Sequence, residues 1–172
     1  MRTKFQAQIA SRMAINRVSG FTLLEMITVV VISGILAAIS MPYFFSRATA
    51  AKQAEGKMLT GVMNRAQQAY YTQNSKFSET IDALALNLNS NNYDFEVDAG
   101  DGGNAYAANY ATSKSAKVRS YVGMSAIVQD SMGNLAMQTI ICEANAPGAV
   151  VADNPLHNGS AVDCGPSTRL LK

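Results

Sequence analysis

The sequence predicts an α+β protein in which one long N-terminal α-helix, a transmembrane half followed by an amphipathic half, packs on a small antiparallel β-sheet. Three observations carry that prediction. Met26 to Ser46 is a run of 21 residues without a charge. From Arg47 to Gln73 a helical period continues with no proline, the only glycines being Gly56 and Gly61. After Asn74 the chain changes to short runs of β-favouring residues divided by Asn, Ser, Gly and Pro.

The apolar run comes first. At about 1.5 Å per residue it spans roughly 31 Å, the thickness of a hydrocarbon core of about 30 Å. Glu25 stands at its head, and an acid in hydrocarbon costs on the order of 2.5 to 3.5 kcal/mol at the centre and less near an interface. Something must offset that cost. Upstream, residues 1–19 hold Arg2, Lys4, Arg12 and Arg17 and no acid. Such a cationic segment stays cytoplasmic while the helix inserts, so the bulk of the chain points outward. An ordinary signal peptide cleaved near Ala37-Ala38 would have a shorter apolar region and no acid at its start. A plain signal-anchored membrane protein leaves Glu25 unexplained.

The run GFTLLEMITVVVISGILAAISMPYF, Gly20 to Phe44, closely resembles the type III signal of type IV pilins and pseudopilins: a basic leader ending in Gly, then Phe-Thr-Leu-x-Glu and an apolar helix. Later stretches, NRAQQAYYTQNSKFSETIDAL and TIICEANAPG, resemble the cyanobacterial type IV pilin-like G/H proteins in patches. The resemblance implies the type IV pilin fold, cleavage by prepilin peptidase between Gly20 and Phe21, and N-methylation of the new Phe21 terminus. It also implies an assembly role for Glu25 with Thr22, and a helix-break region from Gly34 to Pro42 that is helical or merely kinked in the isolated subunit and extended in a fibre.

Without residues 1–20 the chain keeps 10 of its 14 basic residues and all 12 acids, so its formal net charge falls from +2 to −2. The basicity belongs to the leader, and the remainder offers no global electrostatic reason to bind nucleic acid. Beyond the anchor about 125 residues remain, enough for one modest core.

In the second half of the helix Ala48, Ala51, Met58, Leu59, Val62, Ala66 and Ala69 fall on one line, with Gln53, Lys57, Thr60, Asn64, Gln67 and Gln68 opposite. The apolar stripe is expected to meet the sheet. The joined helices amount to about 53 residues and about 80 Å. A coiled-coil stalk would need stricter heptads. Glu55 lies inside the stripe without an evident reason. The expected organisation is a leader at 1–20, a transmembrane and polymerisation helix at 21–46, an amphipathic helix at 47–74, an αβ-loop at 75–118, and the sheet with a disulfide-bounded C-terminal region at 119–172.

Within the loop, Ser78 is placed to cap a short helix SETIDALAL, with Glu79 and Asp82 in its first turn. Asn89 to Lys117 is expected to be mostly loop with an edge strand, the alternation being brief at Tyr93, Phe95 and Val97 and at Tyr106 and Tyr110. Tyr121 to Gln129 and Leu135 to Glu143 read as two strands of a hairpin turning through Asp130-Ser131-Met132-Gly133-Asn134, and they are expected to face the helix stripe. From Ala146 on, Pro147, Pro155 and Pro166 with several glycines predict an irregular surface tail.

Cys142 and Cys164 are the two cysteines. In an outward-facing domain two thiols favour a disulfide over a metal site, which would want four ligands. The pilin resemblance adds that the bounded loop, Glu143 to Asp163, is surface-exposed in the fibre.

Catalytic constellations are thin. His157, the one histidine, reads as a solvated loop side chain, no Ser or Cys has a histidine partner, and there is no P-loop. Asp98, Asp101 and Asn104, set among Gly100, Gly102 and Gly103, miss the EF-hand spacing and read as an acidic turn rather than a calcium site. Lys114, Lys117 and Arg119 could touch DNA phosphates but read as a soluble strand edge. The expectation is therefore no enzyme, no cofactor, no metal and no nucleic acid. The resemblance implies a homopolymer in a helical filament whose subunit is stored in the inner membrane and handled by prepilin peptidase and the pilus assembly machinery. The finished fibre would serve motility, adhesion or DNA uptake outside the cell. A type II secretion pseudopilin and a membrane-anchored binding protein that never polymerises are the alternatives.

Overall fold

The computed structural model describes residues 20–171, so the basic leader with Arg2, Lys4, Arg12 and Arg17 lies outside the described residues, as does Lys172. The chain divides into two parts after Tyr43. Helix α1 (Leu23–Asn74, 52 residues) contributes to both.

In the first part α1 is helical from Leu23 onward, with Gly34 and Pro42 both inside the helix. Its apolar side chains are exposed throughout, Leu23, Val30 and Ile39 to 76%, 67% and 61%. By length and composition this helix can cross a membrane. Apolar surface on that scale calls for lipid or neighbouring protein to cover it.

The second part is built on an antiparallel sheet. Its strands are β1 (Tyr93–Gly100), β2 (Tyr106–Ser113), β3 (Tyr121–Gln129), β4 (Leu135–Ala144) and β7 (Thr168–Leu170), in the order β1-β2-β3-β4-β7; β5 (Leu156–His157) and β6 (Val162–Asp163) form a small separate ladder. The hairpin β3–β4 pairs Tyr121 with Glu143 and Gln129 with Leu135. Its turn is closed by the Asp130 carboxylate, which accepts from the Met132 and Asn134 N–H groups at 2.8 and 2.9 Å, with Gly133 at φ 86°. A bond from Asn134 Nδ2 at 3.0 Å, and after it the backbone bonds, hold the Asp130 carboxyl below its usual range.

Three expectations about local structure are overturned. The segment SETIDALAL does not form a capped helix. Only Asp82–Leu84 makes a 3₁₀ turn, ended by Ala85 in the left-handed region at φ 53°. Tertiary hydrogen bonds win there: the Gln67 side chain takes both the N–H and the C=O of Ser78, and the Phe77 N–H donates to Gly103 O. Between Asn89 and Lys117 the chain is not mostly loop, because β2 is an interior strand. Its alanines Ala107, Ala108 and Ala111 are weak strand formers by propensity but fully buried, and burial decides. The tail from Ala146 is not simply an irregular surface: it supplies β5, β6 and β7, and Ala152, Val162 and Thr168 are buried.

The largest correction concerns the helix face. The buried residues of α1 are Gly56, Thr60, Met63, Asn64 and Gln67, one stripe along the helix, whereas Met58 is 62% exposed and Ala51 and Ala69 are also exposed. Of the expected apolar stripe, Ala48, Leu59, Val62 and Ala66 are only half-buried. The reason lies in the opposing sheet, whose face toward α1 carries Asn109, Gly123 and Ser125. Asn109 Nδ2 donates to Asn64 Oδ1 at 2.8 Å, Asn64 Nδ2 to Ile140 O at 2.9 Å, and Ser125 Oγ to the Asn64 carbonyl at 3.3 Å. A polar sheet face selects the polar helix face, since a buried amide without a partner is costly. Two glycines let the layers approach: a Cβ on Gly56 would lie 2.4 Å from the Tyr93 ring, and one on Gly123 would lie 2.4 Å from Asn64 Oδ1.

The larger apolar cluster sits on the other face of the sheet. Ala108, Tyr110, Val122, Met124, Ala126 and Val128 cluster there with Cys142, and Ala152 and Val162 of the C-terminal segment cover them. The side chains of β2 and β3 thus divide by strand parity: those under the tail are mostly apolar, while those under the helix combine the polar Asn109 and Ser125 with Ala111 and Tyr121, which join Tyr93 and Val118 in a smaller apolar cluster.

Candidate functional site

At the head of the apolar run the chain builds a reciprocal cap. Thr22 N–H and Thr22 Oγ1 donate to Glu25 Oε2 at 2.9 and 2.7 Å, and the Glu25 N–H donates back to Thr22 Oγ1 at 3.2 Å. This is the capping box, Thr at the N-cap and an acid three residues on, and it satisfies two of the helix's orphan donors. The spacing Thr22-x-x-Glu25 is legible in the sequence, so the partnership could have been found there. Both Thr22 bonds fall on Oε2. Oε1 carries none among the described residues and is left toward the surroundings of an exposed helix end. Gly20 and Phe21 stand just outside the helix, exposed, with nothing within 4 Å of where a Gly20 Cβ would be and Phe21 70% exposed. Farther along, Ser40 Oγ donates to the Ala37 carbonyl at 3.3 Å, close to where Pro42 lacks the N–H that would serve Ala38.

In the second part Glu55 acquires the reason the sequence withheld. Its carboxylate accepts from Ser90 Oγ and Asn92 Nδ2, both at 2.7 Å, and so fastens the helix to the segment entering β1. Those bonds, Ser90 first, hold its carboxyl below the usual carboxylate range.

Cys142 and Cys164 are joined by a disulfide with Cα atoms 5.8 Å apart, linking β4 to the covering tail across 22 residues. Beside it, Glu143 is buried and accepts from Tyr121 Oη at 3.0 Å and Arg169 Nε at 2.8 Å, which ties β7 to the sheet. Burial raises the Tyr121 hydroxyl well above its usual range, with the Glu143 charge adding to it. Tyr110 is pushed up to about 12, again chiefly by burial. Within the bounded loop Val150, Val151 and Leu156 are exposed, while Ala152 is buried.

The remaining candidates are structural. His157 is not a solvated loop side chain: β5 folds back over β3, placing Nε2 3.1 Å from Ile127 O and the ring 5.6 Å from Tyr106. Asp101 and Asn104 form a local turn, Asn104 Nδ2 donating to Asp101 O at 2.7 Å, while Asp98 belongs to β1. Among the described residues no three carboxylate, imidazole or thiol groups gather as a metal site would require. Lys114 pairs with Asp94 at 2.9 Å, and Arg119 donates to the carbonyls of Ala144 and Asn145 at 2.8 and 2.6 Å; both are thus engaged within the fold.

Comparison with known proteins fits this arrangement. The family model of type IV pilin-like G and H proteins matches residues 53–165, and that of the prokaryotic N-terminal methylation motif matches residues 15–41. The type IV major pilin protein PilA of Myxococcus xanthus is 33% identical over 84 residues, which cover 48% of this chain and 38% of that protein. The chain thus matches less than half the length of that curated relative. No solved structure matches. The family is structural rather than enzymatic. With its capped apolar helix and antiparallel sheet, the chain belongs to the type IV pilin-like G and H family.

Proposed function

We propose that the chain is a pilin stored in the inner membrane through residues 21–46 and polymerised into an extracellular type IV pilus. The observation that carries this reading is the exposed apolar helix of bilayer length with a single acid at its head, held by Thr22 and with one carboxylate oxygen left over. Prepilin peptidase cuts between Gly20 and Phe21, which leaves a bulky Phe21 amine to be N-methylated. When a subunit leaves the bilayer, the Glu25 carboxylate still lacks water. The cation of matching depth is the Phe21 amine of a neighbouring subunit, since every other basic residue beyond the leader lies at Arg47 or later. Pairing removes the cost of two isolated charges and sets the register between subunits. In the fibre the stretch from Gly34 to Pro42, weakened by one missing hydrogen bond and one glycine, becomes extended.

Motility, adhesion and DNA uptake are the roles such a fibre serves. Intact-mass analysis of fibres sheared from the cell surface tests the proposal. The expected result is a subunit beginning at N-methylated Phe21 with residues 1–20 missing. A mature chain that starts elsewhere rejects the processing site. Its presence only in the envelope, never in sheared fibres, would point to a type II secretion pseudopilus or to an anchored binding protein.

A further inference from the structure

The charges of the second part are sorted by element. Between Lys76 and Lys114 lie six acids and no lysine or arginine, whereas Arg47 to Lys76 carries five cations and the single acid Glu55, already held by Ser90 and Asn92. The acids concentrate on β1, an edge strand. Asp94, Glu96 and Asp98 alternate with more buried neighbours and so share one face. At about 3.3 Å per residue they extend over about 13 Å. Asp94 is paired with Lys114, while Glu96 and Asp98 have no ion pair among the described residues.

The opposite end of the sheet is complementary. There a groove of about 570 Å³ runs between α1 and the β4–β7 edge, with Gly61, Ile141 and Leu170 in its lining. Lys57 and Arg65 also line it, and no acidic side chain does. Eight residues apart on the helix, the two cations are about 12 Å apart along its axis, close to the spread of the acids on β1. Gly61 keeps the floor low, since its Cβ would come 3.5 Å from Ile141 Cδ1.

We propose that this groove seats the β1 edge of a second copy of the chain, with Glu96 and Asp98 of one copy answering Lys57 and Arg65 of the next. The inference rests on the fibre reading above and adds to it where the domains touch. The two surfaces lie at opposite ends of one sheet, so the contact is heterologous: each copy uses its acidic edge on one side and its basic groove on the other, and the chain of contacts stays open instead of closing as a dimer. Like charges brought together at such a contact are costly, and complementary ones fix the register.

The test uses the full chain in cells, scored by fibres sheared from the surface. K57E/R65E and, separately, E96K/D98K should each lower fibre yield by about tenfold or more while leaving processed subunit in the membrane at the parental level. Combining all four changes should restore the yield. In a second measurement, Arg65→Cys with Asp98→Cys, treated on intact fibres with a short bis-maleimide, should give a ladder of covalent oligomers that neither single variant gives. Parental yield from both reversed pairs, or a loss that the combined variant does not repair, overturns the contact. Absence of fibres from the parent itself would reject the fibre reading instead. A ladder missing from abundant parental-type fibres rejects this contact alone.

Discussion

The side chain that decides how the segment after α1 is held is Gln67, and its replacement by leucine is the sharpest test of the polar layer. Leucine keeps the approximate volume, so packing is nearly conserved, and what changes is hydrogen bonding. Gln67 Oε1 accepts from the Ser78 N–H at 2.8 Å and Gln67 Nε2 donates to the Ser78 carbonyl at 3.0 Å, in a place where Gln67 is fully buried and Ser78 is 2% exposed. The Gln67→Leu change would leave both backbone groups buried without partners, at about 1 to 3 kcal/mol each, or about 2 to 6 kcal/mol together. For a domain of this size that corresponds to a fall in Tm of about 3 to 5 °C per kcal/mol. The assay is denaturant unfolding of the full chain in detergent, with limited proteolysis between Ser75 and Asn92 reporting local release. Gln68→Leu is the control, because Gln68 is half-exposed and its one side-chain bond, to Thr139 Oγ1, is long at 3.4 Å. If Gln67→Leu stays within about 0.5 kcal/mol of the parent, the view that this amide bridge positions the segment is wrong.

Glycine substitutions on α1 should have opposite signs: Gly61→Ala has room and gains up to about 1 kcal/mol of helix propensity, whereas Gly56→Ala drives a methyl into the Tyr93 ring and costs stability; equal midpoints would refute the close approach. Opening the Cys142–Cys164 link by Cys164→Ser should cost about 2 to 5 kcal/mol and expose the tail to protease, as read by unfolding midpoint and cleavage rate. Because its folded carboxyl titrates below the ordinary range, Glu55 contributes stability that is complete above that range and is lost as pH falls through the lowered value. Glu55→Gln should therefore flatten the acid limb of the stability profile, and superimposable acid limbs for the two proteins would contradict the Ser90–Asn92 clamp. Glu25→Ala should leave the chain inserted and cleaved while fibres are lost, as immunoblots of membrane and sheared fractions would record; normal fibre yield from a strain with no other pilin would sink the register role.

What could be read from the residues alone followed from signals that are local. The apolar run, its acid, the β3–β4 hairpin and the two half-cystines each announce themselves within a few positions, and the structure has the long helix, the hairpin and the link between Cys142 and Cys164. The failures share one cause. Hydrophobicity ranked Met58, Val62 and Ala66 as the inward face of α1, yet inwardness there was decided by partners 45 to 76 residues from Asn64, the Asn109 side chain and the Ile140 carbonyl, which Asn64 bonds, with Gln67 also donating to Asn109. Strand β2 escaped for a related reason: alanine and asparagine are poor strand formers, and what makes them suitable is a tight, partly polar interlayer that no window of sequence displays. The short helix at Ser78 was locally plausible and lost to the distant side chain of Gln67. Thr22, in contrast, was legible as half of a capping box from its spacing to Glu25.

The polar layer under α1 also has a mechanical meaning. Glu55, Asn64 and Gln67 fasten the helix to Ser90, Asn92, Ile140, Asn109 and Ser78 over 12 residues, about 18 Å of helix axis. Tension applied along that axis would load these bonds side by side, in shear, so that slippage requires them to fail together. An oily seam has no preferred longitudinal position and can creep under load, whereas directional bonds hold one position and then give way abruptly. Pulling on the amphipathic half of α1 should thus produce a single rupture of the helix from the sheet.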